Sequence, residues 1–184
     1  MASYRPSPGP AETDRPSDLS PDIVEHIGAL RRYSRALVGN RADADDLVQE
    51  CLTRVLAQMR AWREVRDLRA YLFTTLHNVF VDNGRRKKAA GTEVPIEDAS
   101  ARLVIPATQS VRLEVRDMLT ALGELPREQR EVVLLVGMEG MSYIEAAQVL
   151  GVPIGTVMSR LSRGREALRQ LTTHGRNNRL RVVK

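Results

Sequence analysis

A single cysteine among 184 residues, Cys51, excludes an intramolecular disulfide and a cysteine zinc cage, and fits a reducing compartment. Aromatic residues make up only 4% of the chain, too few for an aromatic-rich sheet protein. No apolar run approaches the roughly 18 residues that a membrane span requires. The opening stretch Met1 to Pro10 lacks the apolar centre of a secretory signal, so a cytoplasmic location is expected. The three histidines, His26, His77 and His174, are scattered. A metal enzyme would have to rest on Asp43, Asp45 and Asp46, within little more than one helical turn and with no histidine nearby in sequence. The chain is therefore expected to be no enzyme, with no catalytic residue, no metal and no cofactor. What is present is a 42% hydrophobic content, enough for globular cores, and a net charge of +5 with a pI near 9.9. That balance favours a polyanionic partner.

The stretch from 142 to 171 reads as two helices broken by a tight turn. Ser142 followed by Glu145 has the spacing of a capping box. Gly151 suits a left-handed helix end, and Pro153 suits the first turn of the next helix. In that second helix Val157, Leu161, Gly164, Leu168 and Leu171 share one stripe, while Gly155, Ser159 and Arg163 lie opposite. A helix so braced can enter the DNA major groove with its N-terminal residues against base edges.

Taken in order, residues 1–19 are rich in proline, serine and charge and are expected to be disordered. Ser20-Pro21-Asp22 opens a helix with Ile23, Ile27, Leu30, Ser34 and Leu37 on one face, and Gly39-Asn40 stops it. A second helix is expected from near Asp43, its apolar stripe running Leu47, Val48, Cys51, Leu52, Val55, Leu56 and Met59. Cys51 on that stripe reads as a buried structural thiol. After a charged loop around Trp62, Asp67 can cap a third helix carrying Leu72, Leu76, Val79 and Phe80. It runs into the basic cluster Arg85, Arg86, Lys87 and Lys88, and Gly84 is expected to fray or end it. Rings beside cations suit single-stranded nucleic acid. Leu72, Leu76 and at least two of Trp62, Tyr71, Phe73 and Phe80 are nevertheless expected in a core. Residues 89–110 read as a linker. Beyond it, Val111 to Leu122 marks a helix and Leu125-Pro126 opens another. Residues 173–184 read as a mobile basic tail.

Two stretches together resemble a known family. Residues 43–50, then 68–73 with Asn78, Asp82, Arg85 and Arg86, resemble region 2 of sigma-70-type factors. Residues 125–130, 140–147 and 155–161 resemble region 4. Only these regions are represented, joined by a short segment, as in extracytoplasmic-function (group IV) sigma factors. The resemblance implies an all-α protein with two small helical domains, a region 2 bundle at 20–88 and a region 4 helix-turn-helix at 111–172, on a flexible linker. It implies a non-catalytic factor that binds bacterial core RNA polymerase, through the β′ clamp helices and the β subunit, and recognises the −10 and −35 promoter elements. Asp45, Asp46, Gln49 and Glu50 match the polymerase-docking surface. Trp62, Asn78, Asp82, Arg85, Arg86, Lys87 and Lys88 match the −10 DNA surface. Thr156, Met158, Ser159, Arg160 and Arg163 match the −35 positions. Arg163 is the best candidate for a bidentate guanine contact, and Arg160, nearer the buried stripe, for phosphate binding or bracing. Met158 departs from the Lys or Arg frequent there. The resemblance also implies control by an anti-sigma factor. The rival reading is a stand-alone helix-turn-helix regulator, which leaves the acidic helix and the aromatic and basic third helix unused.

Overall fold

The computed structural model describes residues 21–59, 67–89 and 109–179. Among them the regular structure is helical: α1 (Pro21–Val38), α2 (Arg41–Met59), α3 (Leu68–Ala89), α4 (Gln109–Glu124), α5 (Arg127–Val133), α6 (Tyr143–Leu150) and α7 (Ile154–Arg179). The N-terminal stretch, the Trp62 loop and residues 90–108 of the expected linker lie outside the described residues.

Each short-range signal has its physical counterpart. Asn40 both follows α1 and caps α2, its Oδ1 accepting the Asp43 N–H at 2.8 Å. The helix therefore starts at Arg41, two residues earlier than expected. Asp67 Oδ1 likewise accepts from the Ala70 N–H at 2.9 Å and opens α3. Gly84 does not end that helix: α3 continues to Ala89, so the whole basic cluster is helical. The Asn83 side chain donates to Glu50 Oε2 at 3.0 Å, tying this turn to α2 and offsetting the cost of glycine in a helix. At the other end α7 reaches Arg179, so the expected tail is helical over residues 173–179.

Helices α1, α2 and α3 pack on one another around Ile23, Leu30, Leu47, Val48, Cys51, Val55, Leu72, Leu76 and Val79, all nearly or fully buried. Helices α4, α5 and α6 each pack on α7. The two groups do not stand apart. Helix α3 lies on α6, and α1 touches both α4 and the turn after α5. Their buried side chains form one continuous cluster. That turn is a π-helical segment, Leu134–Met138, which had no sequence signature. Such segments are frequent at functional sites, and this one ends at Glu139, which lies at the junction.

Candidate nucleic-acid and polymerase interface

Helix α6 opens with a complete capping box. Ser142 Oγ accepts the Glu145 N–H at 3.2 Å, and Glu145 Oε2 accepts the Ser142 N–H at 2.6 Å. Gly151, at φ 62° and ψ 35°, closes the helix, and the Val152 N–H returns to Ala147 O at 3.1 Å. The recognition helix α7 is held from behind by Val157 and Leu161, both buried. One turn further on, Gly164 lets α5 approach so closely that an added Cβ would stand 2.7 Å from Val133 Cγ2. Locked on that side, α7 turns its other face outward: Gly155, Met158 and Arg163 are exposed, and Thr156, Ser159 and Arg160 are partly so. Ser159 Oγ donates to Thr156 O at 3.0 Å, which fixes its hydroxyl and leaves its lone pairs outward. Arg163 and Arg160 make no ion pair with any described residue. Met158, 52% exposed, and Ile154, one turn earlier and 45% exposed, put an apolar strip beside these cations.

Several charged region 2 residues pair across helices, in three separate sets centred on Glu50, Asp43 and Asp45. Glu50 accepts from Arg54 Nη2 at 2.7 Å and from Asn83, and lies 3.9 Å from Arg86 Nη1. The hydrogen bond from Asn83, with the Arg54 and Arg86 charges, holds its carboxyl below the usual glutamate range. Arg54 also donates to Asp82 Oδ2 at 3.2 Å. Lys87 Nζ stands 3.4 Å from Asp43 Oδ2. Asp45 faces Arg31, Arg35 and Arg41 at 3.5–4.0 Å. Asp43 and Asp45 thus point to different partners and do not converge with Asp46. Among the described residues no group of three or more acids, histidines or cysteines could hold a metal ion. Asp46 and Gln49 are exposed on α2, as are Asn78, Arg85 and Lys88 on α3. Trp62 lies outside the described residues.

Of the rings, Phe73 is fully buried, edge-on to buried Tyr33 at 5.4 Å between centroids. Tyr71 and Phe80 are partly buried. Phe80 carries the Arg127 guanidinium over its face at 4.3 Å, a contact from α3 to α5. Cys51 is buried beneath Leu72 O, and burial pushes its thiol up to about 12, out of reach of redox chemistry at neutral pH.

The residues that sequence reasoning missed line the junction between the two helix groups. Arg130, almost fully buried, donates through Nη1 to Leu37 O of α1 at 3.0 Å, and through Nη2 to Leu125 O at 3.1 Å and to Gly123 O. Glu139, its side chain 2% exposed, accepts from Arg32 Nη2 at 3.4 Å and lies 3.9 Å from Arg69 Nη2, which also donates to its carbonyl. Burial raises the Glu139 carboxyl above the usual range against the pull of these two arginines. His77 Nδ1 faces Glu131 Oε1 at 3.9 Å, too long for a hydrogen bond, and burial lowers its pKa. Tyr33 OH, His77 Nδ1, Arg130 Nε and Glu139 Oε1 are all buried with no protein hydrogen-bond partner. Each costs roughly 1–3 kcal/mol if it stays dry, and a water admitted to satisfy it loosens the packing there. The junction is closed by the continuous apolar cluster together with these polar contacts.

Residues 23–77 match the family model for the Sigma2 domain of PhyR, and residues 116–168 match that for sigma-70 region 4. The ECF RNA polymerase sigma factor EcfG of Rhodopseudomonas palustris is 38% identical over 155 residues, covering 83% of this chain and 84% of that protein. SigW of Bacillus subtilis, another ECF sigma factor, is 31% identical over 165 residues, covering 83% and 88%. Among solved structures, the sigma factor RpoE of Bartonella quintana, in complex with the anti-sigma factor NepR, superposes with a TM-score of 0.71 at 34% identity, covering 83% of this chain and 94% of that one. CnrH, in complex with the cytosolic domain of CnrY, gives 0.61 at 29% identity, covering 83% and 85%. Described helices, exposed recognition face and relatives agree: this chain belongs to the extracytoplasmic-function RNA polymerase sigma factors, which bind core polymerase and direct it to promoters.

Proposed function

We propose that promoter recognition is divided between α7 and α3, while α2 docks on the polymerase. The observation that carries this reading is the two-sidedness of α7, sealed on α5 through Val157, Leu161 and Gly164 and presenting Thr156, Met158, Ser159, Arg160 and Arg163 outward. Arg163 reads a guanine edge of the −35 element, and Met158 makes apolar contact with a thymine methyl or a sugar. On α3, Asn78 contributes to a pocket for a flipped −10 base, which must offset the few kcal/mol lost on unstacking. Arg85 and Lys88 hold the backbone, joined by Arg86 and Lys87 once these leave Glu50 and Asp43. Asp46, Gln49 and Glu50, with Asp45 behind them, meet a basic face of the polymerase, where charge complementarity sets rate and specificity. Residues 20–88 and 111–172 are the working modules. The protein itself performs no chemistry and works in the cytoplasm beside its polymerase.

By analogy with RpoE and NepR, an anti-sigma factor holds this chain inactive until a signal releases it. Stoichiometric co-purification with such a regulator tests that step, and its consistent absence would refute it. Run-off transcription from a candidate promoter, with purified core enzyme and with or without this protein, tests the main reading. Specific transcripts only in its presence are expected. Tight operator binding by a dimer without polymerase would instead favour the stand-alone regulator.

A further inference from the structure

Arg54, on α2, is assigned neither to the polymerase face nor to the promoter face, yet its guanidinium joins the two. Nη2 donates to Glu50 Oε1 at 2.7 Å, and Nη1 reaches across to α3 and donates to Asp82 Oδ2 at 3.2 Å. Glu50 is held at its other oxygen by Asn83, the neighbour of Asp82, at 3.0 Å. The anchor is therefore fixed from both helices, and the planar fork of the arginine passes that fixity on to the Asp82 carboxylate. Among the described residues Asp82 Oδ1 has no hydrogen-bond partner, and the side chain is 41% exposed. One oxygen is tied down and the other is presented. Asn78, one turn earlier on α3, shares that face and is exposed.

We propose that Arg54 is a positioning residue for −10 recognition. It aims Asp82 Oδ1, on the face of Asn78, at an unpaired base with an amino group next to a ring-nitrogen acceptor, the Watson–Crick edge of cytosine and adenine. The chemistry selects this class. An ionised carboxylate only accepts, so Asp82 takes a hydrogen from the amino group, while the Asn78 amide donates to the ring nitrogen. Guanine and thymine carry an N–H at that ring position with a carbonyl beside it, which would set a carbonyl oxygen against the carboxylate. A carboxylate facing DNA is also repelled by phosphate. The Arg54 charge offsets that repulsion, and its hydrogen bond stops the carboxylate from rotating away. An arginine that only braced α2 on α3 would have no link to any particular base. This role rests on α3 being the −10 reading helix, and adds the residue that orients Asp82 and the class of base it takes.

Deleting single amino groups from the DNA tests it. A promoter that gives transcripts with the wild-type holoenzyme is prepared with its −10 bases already unpaired. One position at a time, 2-pyrimidinone replaces cytosine or purine replaces adenine, so that only an amino group is lost. The readout is the ratio of holoenzyme affinities for unmodified and modified DNA. Wild type should lose about tenfold at one position. Asp82→Ala and Arg54→Gln should each bring that ratio close to one, and Arg54→Gln added to Asp82→Ala should change it no further. Arg54→Lys keeps the charge without the fork and should give an intermediate ratio. Loosened packing of α2 on α3 weakens binding to both DNAs alike and leaves the ratio where it was. Full sensitivity in either Arg54 variant, with none in Asp82→Ala, would overturn the positioning role. Sensitivity intact in Asp82→Ala, or absent from wild type at every position, would overturn the choice of acceptor and base. A wild type that engages no promoter with core enzyme would instead refute the sigma-factor reading, a result no change in these ratios could imitate.

Discussion

Replacing glycine by alanine at two helical positions should move stability in opposite directions, because only one of the two has no room. Gly28, in the middle of α1, is exposed, and a Cβ there would meet only the end of the flexible Arg32 side chain at 3.8 Å. Alanine at 28 should therefore stabilise by about 0.5–1 kcal/mol, the ordinary helix-propensity difference. Gly164 in α7 is buried, and its Cβ would stand 2.7 Å from Val133 Cγ2 and 3.4 Å from both the Gln129 Cβ and carbonyl oxygen. Val133 is β-branched within a helix and has essentially one rotamer to occupy. The Gln129 carbonyl oxygen belongs to the α5 backbone and its Cβ is fixed to it, so α5 and α7 must separate. Overpacking of this kind costs about 1–3 kcal/mol, which exceeds the propensity gain and leaves a net loss of about 1–2 kcal/mol. For a chain of this size each kcal/mol shifts Tm by about 2–4 °C, so Gly28→Ala should melt slightly above wild type and Gly164→Ala several degrees below. Calorimetry and urea unfolding on the full chain measure both. A Gly164→Ala protein at least as stable as wild type would show that α5 and α7 are not in the close contact on which the orientation of the recognition helix depends.

Other consequences can be checked directly. Arg163→Ala should cost about 1–3 kcal/mol at one −35 position and relax the base preference there, whereas Arg85→Ala should weaken binding to all sequences alike and reduce the salt slope by about one; holoenzyme binding to promoter variants across a salt series separates the two. Cys51, with its thiol pushed up to about 12, should react with a thiol reagent at pH 8 only as the protein unfolds, and fast labelling of native protein would contradict its burial. His77 has its pKa lowered by burial, so the unfolded chain takes up the proton first and its contribution to stability falls as pH drops through the ordinary histidine range near 6.5. Wild type should lose stability relative to His77→Gln between about pH 7.5 and 5.5, measured by urea midpoints; Arg127 opposes the proton and Glu131 favours it, and parallel curves would refute the sign.

How much could be read in advance depended on how local the determining contacts are. The α6–α7 unit was legible because its signals are neighbours in sequence: Ser142 and Glu145 make reciprocal bonds across three residues, and Gly151 ends its own helix. Periodicity set Gly155, Ser159 and Arg163 opposite the buried stripe of Val157 and Leu161, whereas the full set of candidate −35 residues came from the resemblance to region 4. The basic cluster was legible as charge, but its continuation in helix through Gly84 was not, because Glu50, 33 residues away, supports that turn. The rings beside it were read as candidates for stacking on bases or for a core: Phe73 is fully buried against Tyr33, Tyr71 and Phe80 are partly buried against the same core, and the outer face of Phe80 is covered by Arg127.

The junction escaped entirely, for a physical reason. Arg32 and Glu139 are 107 residues apart, and Arg130 and Leu37 are 93 apart. No periodicity connects such pairs, and a lone Arg or Glu in a helical sequence is by default a solvated residue. Nor does the position of Glu139 follow from an α-helical pattern, since the π-helical turn shifts everything after Leu134 around the axis. Hydrophobic patterning specifies each small core separately and is silent on whether the two are joined. If burial of apolar surface alone held the groups together, the faces in contact should be apolar and fully packed. They are so only in part: Tyr33, Leu37, Phe73 and Met141 belong to the continuous apolar cluster, while Arg130, Glu139 and His77 add polar groups with several atoms unmatched.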